Sequence, residues 1–229
     1  APKIAMLKGD GVSSLSFGSA WHFFETQLKY PVTNIDTDNL NRTSLAKFNI
    51  LLMPEGWYSR VLKKETLKKL KTWVRSGGKI ITLGRAAASF AGKDGFGLEK
   101  NEDASKKDST KTKKANLTPY DQRERESVKN FITGSIYKIT IDNSHPMAFG
   151  YPNTYFSLKQ GKDSYEFLEK GYNVGYIKDD ALSVSGFSGE DAKAGLKNSM
   201  VFGEARLGRG SIIYLADDVL FRSFWENGK

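Results

Sequence analysis

The chain has 229 residues, 39% of them hydrophobic, which is enough for one large domain with a sizeable core. Its formal net charge of +9 comes largely from lysines on one amphipathic helix and in one polar stretch, so we expect no nucleic-acid partner. No stretch approaches the roughly 20 apolar residues of a membrane span, and the lack of cysteine excludes disulfides, thiolate metal sites and cysteine nucleophiles.

Short apolar runs alternate with helical patterns in the first part of the chain. Four runs predict strands, at residues 3–7, 32–35, 50–53 and 80–83. Two helical patterns lie between them, an aromatic one at residues 17–28 and a lysine-rich one at residues 63–75 that Gly77-Gly78 ends. This alternation predicts βαβ units, and hence an α/β fold with a mostly parallel, flavodoxin-like sheet covered by helices on both faces.

The pattern then changes twice. Residues 92–117 are dominated by lysine, aspartate, serine, threonine and asparagine, which predicts a polar loop or disordered insertion within a single α/β domain over residues 1–229. A helical pattern follows at 123–131, and the rest is rich in strands and hairpins. These strands are predicted at residues 136–141, 173–177, 182–187, 200–207 and 211–216.

The two ends of the chain point to a longer parent protein. The chain starts Ala-Pro-Lys-Ile, with neither an initiator methionine nor a signal-peptide pattern, so we expect a processed form or an excised piece. A last helix is predicted from about Val219. It carries Phe221, Phe224 and Trp225 and stops at Lys229, so we expect further residues beyond it and an exposed aromatic patch that supports self-association.

One string resembles a metal site. His22-Phe23-Phe24-Glu25 has the H-x-x-E spacing of zinc carboxypeptidases, and His145 lies at a suitable distance along the chain. His22, however, belongs to an aromatic helix pattern whose apolar residues are needed for packing. His145 precedes a proline, where a turn or capping role is usual. We therefore expect no metal and no cofactor in this chain.

A turn after the fourth predicted strand has the setting of a nucleophile elbow. In enzymes with this βαβ order, a cysteine or serine nucleophile sits there in G-x-C-x-G or G-x-S-x-G. Here Gly84-Arg85-Ala86 keeps the small residues, but neither Arg85 nor Ala86 can attack a carbonyl. We interpret this turn as a degenerate elbow and expect no catalytic residue in it.

Polar residues follow the strands at the edge where open α/β sheets bind ligands. They predict a ligand-binding cleft made by Asp10, Glu55, Tyr58, Arg85 and Asp217. The alternative is structural: Asp10 and Glu55 cap the helices that follow them, and Arg85 pairs with one of these acids.

Several motifs together resemble a domain at the carboxy-terminal end of large bacterial zinc carboxypeptidases. They are Gly9-Asp10-Gly11-Val12-Ser13, Trp21-His22-Phe23-Phe24-Glu25, Pro31-Val32-Thr33, Pro54-Glu55-Gly56, Pro119-Tyr120, Arg123-Glu124-Arg125, His145-Pro146-Met147-Ala148-Phe149-Gly150-Tyr151 and Leu220-Phe221-Arg222-Ser223-Phe224-Trp225. The resemblance spans nearly the whole chain. That domain is similar to class I glutamine amidotransferases, and it is not the peptidase domain. The resemblance therefore does not carry a zinc site over to His22.

The resemblance implies a function and a partner. We expect a non-catalytic accessory domain of an exported, periplasmic or extracellular zinc metallocarboxypeptidase, with the zinc in the parent's peptidase domain. The domain would pack against that peptidase domain or bind part of a peptide or glycan-peptide substrate, without nucleic acid or membrane. Two alternatives stay open: an independent amidotransferase-like or sugar-utilisation-type enzyme that uses the cleft carboxylates, and a small-molecule sensor module.

Overall fold

The computed structural model describes residues 1–101, 119–180 and 182–223. These residues form two compact units. The first contains Ala1–Leu98, Leu168–Tyr172 and the described part of Phe202–Lys229, and the second contains the described parts of Glu99–Phe167 and Asn173–Val201. No helix among the described residues has the length and hydropathy that crossing a bilayer would require.

Ten strands and four α-helices follow one another along the described chain. In order, they are β1 (Ile4–Lys8), α1 (Ser14–His22), β2 (Val32–Asp36), β3 (Ile50–Met53), α2 (Lys64–Arg75), β4 (Lys79–Leu83), α3 (Tyr120–Val128), β5 (Ile132–Ile141), β6 (Thr154–Lys159), β7 (Gly171–Ile177), β8 (Ser183–Ser188), α4 (Glu190–Ala194), β9 (Ser199–Leu207) and β10 (Gly210–Leu215).

The first unit is built on a parallel sheet. Its strand order is β2-β1-β3-β4-β10, each pair parallel, and β9 pairs with β10 in antiparallel fashion through the predicted hairpin. All four predicted strands of the amino-terminal half are present. The predicted α/β class, with a parallel core followed by a strand-rich second half, is therefore confirmed.

Helix α1 packs its small and aromatic residues on the sheet. Met6, Ala20, Leu52 and Leu83 form a buried cluster, and Phe24 is among the half-buried side chains packed against it. The predicted helix at residues 17–28 starts earlier, because Ser13 caps it by accepting a hydrogen bond from the Ser16 amide (3.3 Å). From Phe23 to Gln27 the backbone continues as a π-helical turn.

The second unit is an antiparallel arrangement around β5. Strand β6 pairs along one side of β5, from Ser135 opposite Lys159 to Thr140 opposite Thr154. Strands β8 and β7 also pair with β5, both antiparallel. Strand β6 and helix α4 had no counterpart among the sequence predictions. Helix α3 lies close to the predicted helix at 123–131 but starts and ends three residues earlier.

Two predictions for less regular segments need correction. The polar stretch predicted at 92–117 lies outside the described residues from 102 onward, but Phe96 and Leu98 at its start are buried. Phe96 packs on Phe90 and its carbonyl accepts the hydroxyl of Tyr214 (2.8 Å), which anchors this part. In place of a helix from Val219, the described end has a 3₁₀ turn at Phe221–Ser223. Phe224 and Trp225 lie outside the described residues.

Candidate functional site

Four loops of the first unit meet at the carboxyl edge of its parallel sheet. They follow β1, β3, β4 and β10, whose carboxyl ends lie at the same edge because the strands are parallel. This is the edge at which open α/β sheets bind ligands. We call the group Glu55, Trp57, Gly84 and Arg85 the carboxyl-edge site.

The loops after β1 and β3 are joined through their backbones. The Trp57 amide donates to the Gly11 carbonyl (2.7 Å), and the Ser13 amide donates to the Glu55 carbonyl (2.8 Å). This antiparallel bridge brings the chains so close that a Cβ on Gly56 would lie 2.2 Å from the Gly11 oxygen. The backbone at Glu55 is also fixed from α1, because the Glu55 amide donates to the Ser16 hydroxyl (3.0 Å). The backbone that carries Glu55 and Trp57 is thus held on both sides.

Arg85 joins the loops after β3 and β4. Its guanidinium carbon lies 4.6 Å from the centre of the Trp57 ring, a cation–π contact. Its Nε lies 3.9 Å from the Glu55 carboxylate, and the two side chains are 36% and 28% exposed. An ion pair of this length and exposure contributes less than about 1 kcal/mol. Trp57 itself is 66% exposed, which is unusual for so large an apolar side chain.

The turn after β4 has a left-handed backbone at Gly84. Its φ of +54° lies in the left-handed region, which favours glycine. A Cβ at this residue would lie 3.3 Å from Cγ and 3.4 Å from Cδ of Glu55, and 3.5 Å from the Asp218 amide nitrogen. The left-handed position of the turn therefore carries no side chain and faces a carboxylate. Ala86 is fully buried behind it.

The other residues predicted for the cleft differ in their surroundings. Asp10 is exposed on the β1 loop, and its carbonyl accepts the Thr37 hydroxyl (3.0 Å). Asp217 is buried beside Asp218. Tyr58 is fully buried and its hydroxyl donates to the Pro54 carbonyl (2.7 Å). Burial raises the pKa of the Tyr58 hydroxyl above its ordinary value. We therefore correct its predicted role, because a side chain with no exposed surface supports the loop and cannot contact a ligand.

The helix-capping alternative is met only in part. Arg85 pairs with Glu55, as that alternative expected. Helix α1 is capped by Ser13 and not by Asp10, and helix α2 has no side-chain cap. Sequence reasoning missed the stacking of Arg85 on Trp57. The signal available was a large aromatic residue placed directly after a strand, in a loop that also contains a glycine.

The histidine string has no metal geometry. His22 and Glu25 are exposed at the end of α1 and in the turn that follows. His145 caps a turn, because its Nδ1 accepts a hydrogen bond from the Met147 amide (3.2 Å). Within the described ranges, no cluster of three or more histidine, aspartate or glutamate side chains could hold a metal ion.

Neither the protein-family models nor the curated proteins contain a match to this chain. Solved structures do match. An exo-β-1,4-mannosidase, Op5Man5 from Opitutaceae bacterium strain TAV5, aligns with a TM-score of 0.55 and 13% identity. The alignment covers 99% of this chain but 33% of the mannosidase. This chain thus spans about a third of the length of that enzyme.

Two further structures are matched over most of their own length. A ThuA-like protein from Bacteroides uniformis ATCC 8492 aligns with a TM-score of 0.53 and 12% identity, covering 100% of this chain and 88% of that one. A glutamine amidotransferase from Thermotoga maritima aligns with a TM-score of 0.53 and 8% identity, covering 96% and 76%. At such identities the likeness establishes the architecture, and this chain has the class I glutamine amidotransferase-like fold.

Proposed function

We propose that this chain is a non-catalytic accessory domain of a zinc metallocarboxypeptidase, and that its carboxyl-edge site binds part of a peptide or glycan-peptide substrate. The observation that carries the proposal is the arginine at the elbow. Where enzymes of this architecture need a nucleophile, this chain has Gly84-Arg85-Ala86, with Arg85 stacked on an exposed tryptophan. The turn is therefore suited to binding and not to covalent chemistry.

The site chemistry favours an anionic ligand with a flat or apolar part. A guanidinium presents donors in a planar fork that suits a carboxylate. The exposed face of Trp57 offers a surface for a sugar ring or an apolar side chain. The ion pair between Arg85 and Glu55 is long and partly solvated, so exchanging it for a ligand carboxylate costs little. A peptide terminus attached to, or near, a sugar has both features.

The rival enzyme functions receive less support. Glutaminase chemistry in this fold uses a cysteine nucleophile, and this chain has no cysteine. For a sugar-utilisation enzyme that uses the cleft carboxylates, Asp217 is buried and Glu55 faces Arg85 at 3.9 Å, so Asp10 is the one exposed acid of the predicted cleft.

A binding experiment with a matched control tests the site. Short peptides and glycan-linked peptides are titrated into the ¹⁵N-labelled chain, and Trp57→Ala and Arg85→Ala are compared with Trp21→Ala. Trp21 is a second exposed tryptophan, 46% accessible, on α1. We expect Trp57→Ala and Arg85→Ala to weaken binding about tenfold or more, and Trp21→Ala to leave it unchanged. Equal losses in all three variants, or no binding by the unaltered chain, would contradict the proposed site.

The parent protein is tested separately. We propose that the gene also encodes a zinc carboxypeptidase domain, with the catalytic zinc, preceded by an export signal that places the protein in the periplasm or outside the cell. The coding sequence upstream of this chain decides this. Sedimentation of the isolated chain tests the self-association predicted for the aromatic patch of Phe221, Phe224 and Trp225. Of the aromatic residues on the first helix, Trp21 is 46% exposed. A strictly monomeric chain that gains no stability when joined to the peptidase domain would remove the packing role.

A further inference from the structure

A pocket lies in the first unit, at the edge of the parallel sheet opposite the carboxyl-edge site. Strands β3 and β4 begin at Ile50 and Lys79, and the pocket is lined by residues that directly precede them and by helix α2. Its volume is about 870 Å³. This falls within the roughly 300–1,000 Å³ of small-molecule sites. We call it the amino-edge pocket and define it by Arg42, Phe48, Lys68, Trp73 and Gly78.

One wall of the pocket is the indole ring of Trp73, which packs directly on the backbone of Gly78. A Cβ on Gly78 would lie 2.4 Å from Cε2 of Trp73, so the ring occupies the space that any other residue at 78 would fill. Trp73 and Phe48 are both half-buried and both line the pocket. Together they give it apolar surface suited to a flat group.

A second part of the lining, the loop that carries Arg42, is held in place by a lysine of α2. The Nζ of Lys69 donates to the carbonyls of Leu40 (2.8 Å), Asn41 (2.7 Å) and Thr43 (2.6 Å). These three bonds tie helix α2 to the loop that carries Arg42. This part of the lining is therefore formed before any ligand arrives, which lowers the cost of binding.

The charge of the lining is predominantly positive. Besides Lys69, which the loop carbonyls engage, the charged lining residues are Arg42, Lys68 and Glu65. Arg42 and Lys68 are exposed at the rim. Two cations at the mouth of a pocket with an aromatic wall are complementary to a small anion.

We propose that the amino-edge pocket binds a small organic anion that carries a flat apolar group. The carboxylate or similar anionic group is held at the rim by Arg42 and Lys68, and the flat group lies against Trp73. This site is distinct from the carboxyl-edge site and does not rest on the proposed function.

The test uses 2-naphthoate as the probe and its neutral amide, 2-naphthamide, as the uncharged comparison. Binding is measured by calorimetry and by amide shifts of the labelled chain. We expect naphthoate to bind about tenfold more tightly than naphthamide, and Arg42→Gln and Lys68→Gln each to weaken naphthoate binding about three- to tenfold. Lys8→Gln removes the same charge at the other edge of the sheet, at the last residue of β1, and is expected to change the affinity less than twofold.

Gly78→Ala tests the wall without touching the charges. It displaces the Trp73 ring, so we expect it to weaken naphthoate and naphthamide alike while the salt dependence of naphthoate binding is retained. Trp57→Ala is expected to leave both unchanged, which separates this pocket from the carboxyl-edge site. Equal affinities for the acid and the amide, equal losses in Lys8→Gln and Lys68→Gln, or no binding of naphthoate at millimolar concentration would each overturn the proposal.

Discussion

Replacing Gly56 by alanine tests how the carboxyl-edge site is held. The new Cβ would lie 2.2 Å from the Gly11 carbonyl oxygen and 3.0 Å from Cα of Val12, and both neighbours are backbone atoms that cannot rotate away. Relief requires the two loops to separate, which breaks the bonds from Trp57 to Gly11 and from Ser13 to Glu55. Overpacking and two lost backbone bonds together predict a loss of about 2–4 kcal/mol in the free energy of unfolding.

The matched control is Gly18→Ala. Gly18 lies inside α1, and no atom lies within 4 Å of the position that its Cβ would take. The same added methyl group is therefore expected to stabilise the helix by about 0.5–1 kcal/mol. In urea unfolding, the midpoint should fall for Gly56→Ala and rise for Gly18→Ala. The melting temperature of Gly56→Ala should drop by about 4–15 °C. A Gly56→Ala protein as stable as the unaltered chain would refute the close approach of the two loops.

Three further predictions concern the same unit. Tyr58→Phe deletes the hydroxyl that donates to Pro54 and is expected to cost about 1–2 kcal/mol near neutral pH. Burial raises the pKa of Tyr58 in the folded state, so its contribution is complete below the unfolded value of about 10 and is lost as the pH rises above it. Between pH 8 and pH 11 the urea midpoint should therefore fall less for Tyr58→Phe than for the unaltered chain. An equal fall in both proteins would contradict this. Ser13→Ala removes the cap of α1 and should lower the free energy of unfolding by about 1 kcal/mol, measured in the same way. No change would mean that the hydrogen bond from the Ser16 amide does not stabilise the helix. Neither the unaltered chain, which has no cysteine, nor Ala86→Cys, whose thiol would lie at a fully buried position, should release ammonia from glutamine. Steady release above a heat-denatured control would count against a non-catalytic role.

The parallel core was predictable because β1, β3 and β4 are short, mostly buried apolar runs, whereas the edge strand β2 carries the exposed Thr33 and Asn34. The bounds of β3 agree with the predicted run at residues 50–53, and the glycine pair after α2 ends that helix as expected. Strand β6 was not predicted from the sequence, for a physical reason. Its buried positions are the polar Ser157 and Lys159, whereas Phe156 is 44% exposed, so the usual alternation of apolar and polar residues is inverted.

For the candidate site, the sequence allowed prediction of the contacts that follow from the order of the strands and not of those that depend on loop shape. Glu55 and Arg85 follow neighbouring strands, β3 and β4, and their pairing was one of the two alternatives drawn from the sequence. The stack of Arg85 on Trp57 depends on the shape of the loop after β3, which the contact between Gly11 and Gly56 sets. That contact joins residues far apart in sequence, so no local sequence pattern predicts it. For the same reason, the inward direction of Tyr58 was not foreseen.

The carboxylate beside Gly84 also bears on any attempt to install acyl-transfer chemistry at this turn. The Cβ of a cysteine at residue 84 would lie 3.3 Å from Cγ and 3.4 Å from Cδ of Glu55, so its thiol would stand beside that carboxylate. A neighbouring negative charge disfavours ionisation of the thiol, and only the thiolate is an effective nucleophile. The left-handed backbone adds strain for any residue other than glycine. Crowding and electrostatics at this position both oppose a reactive cysteine, so placing one at residue 84 would require the loop after β3 to be rebuilt as well.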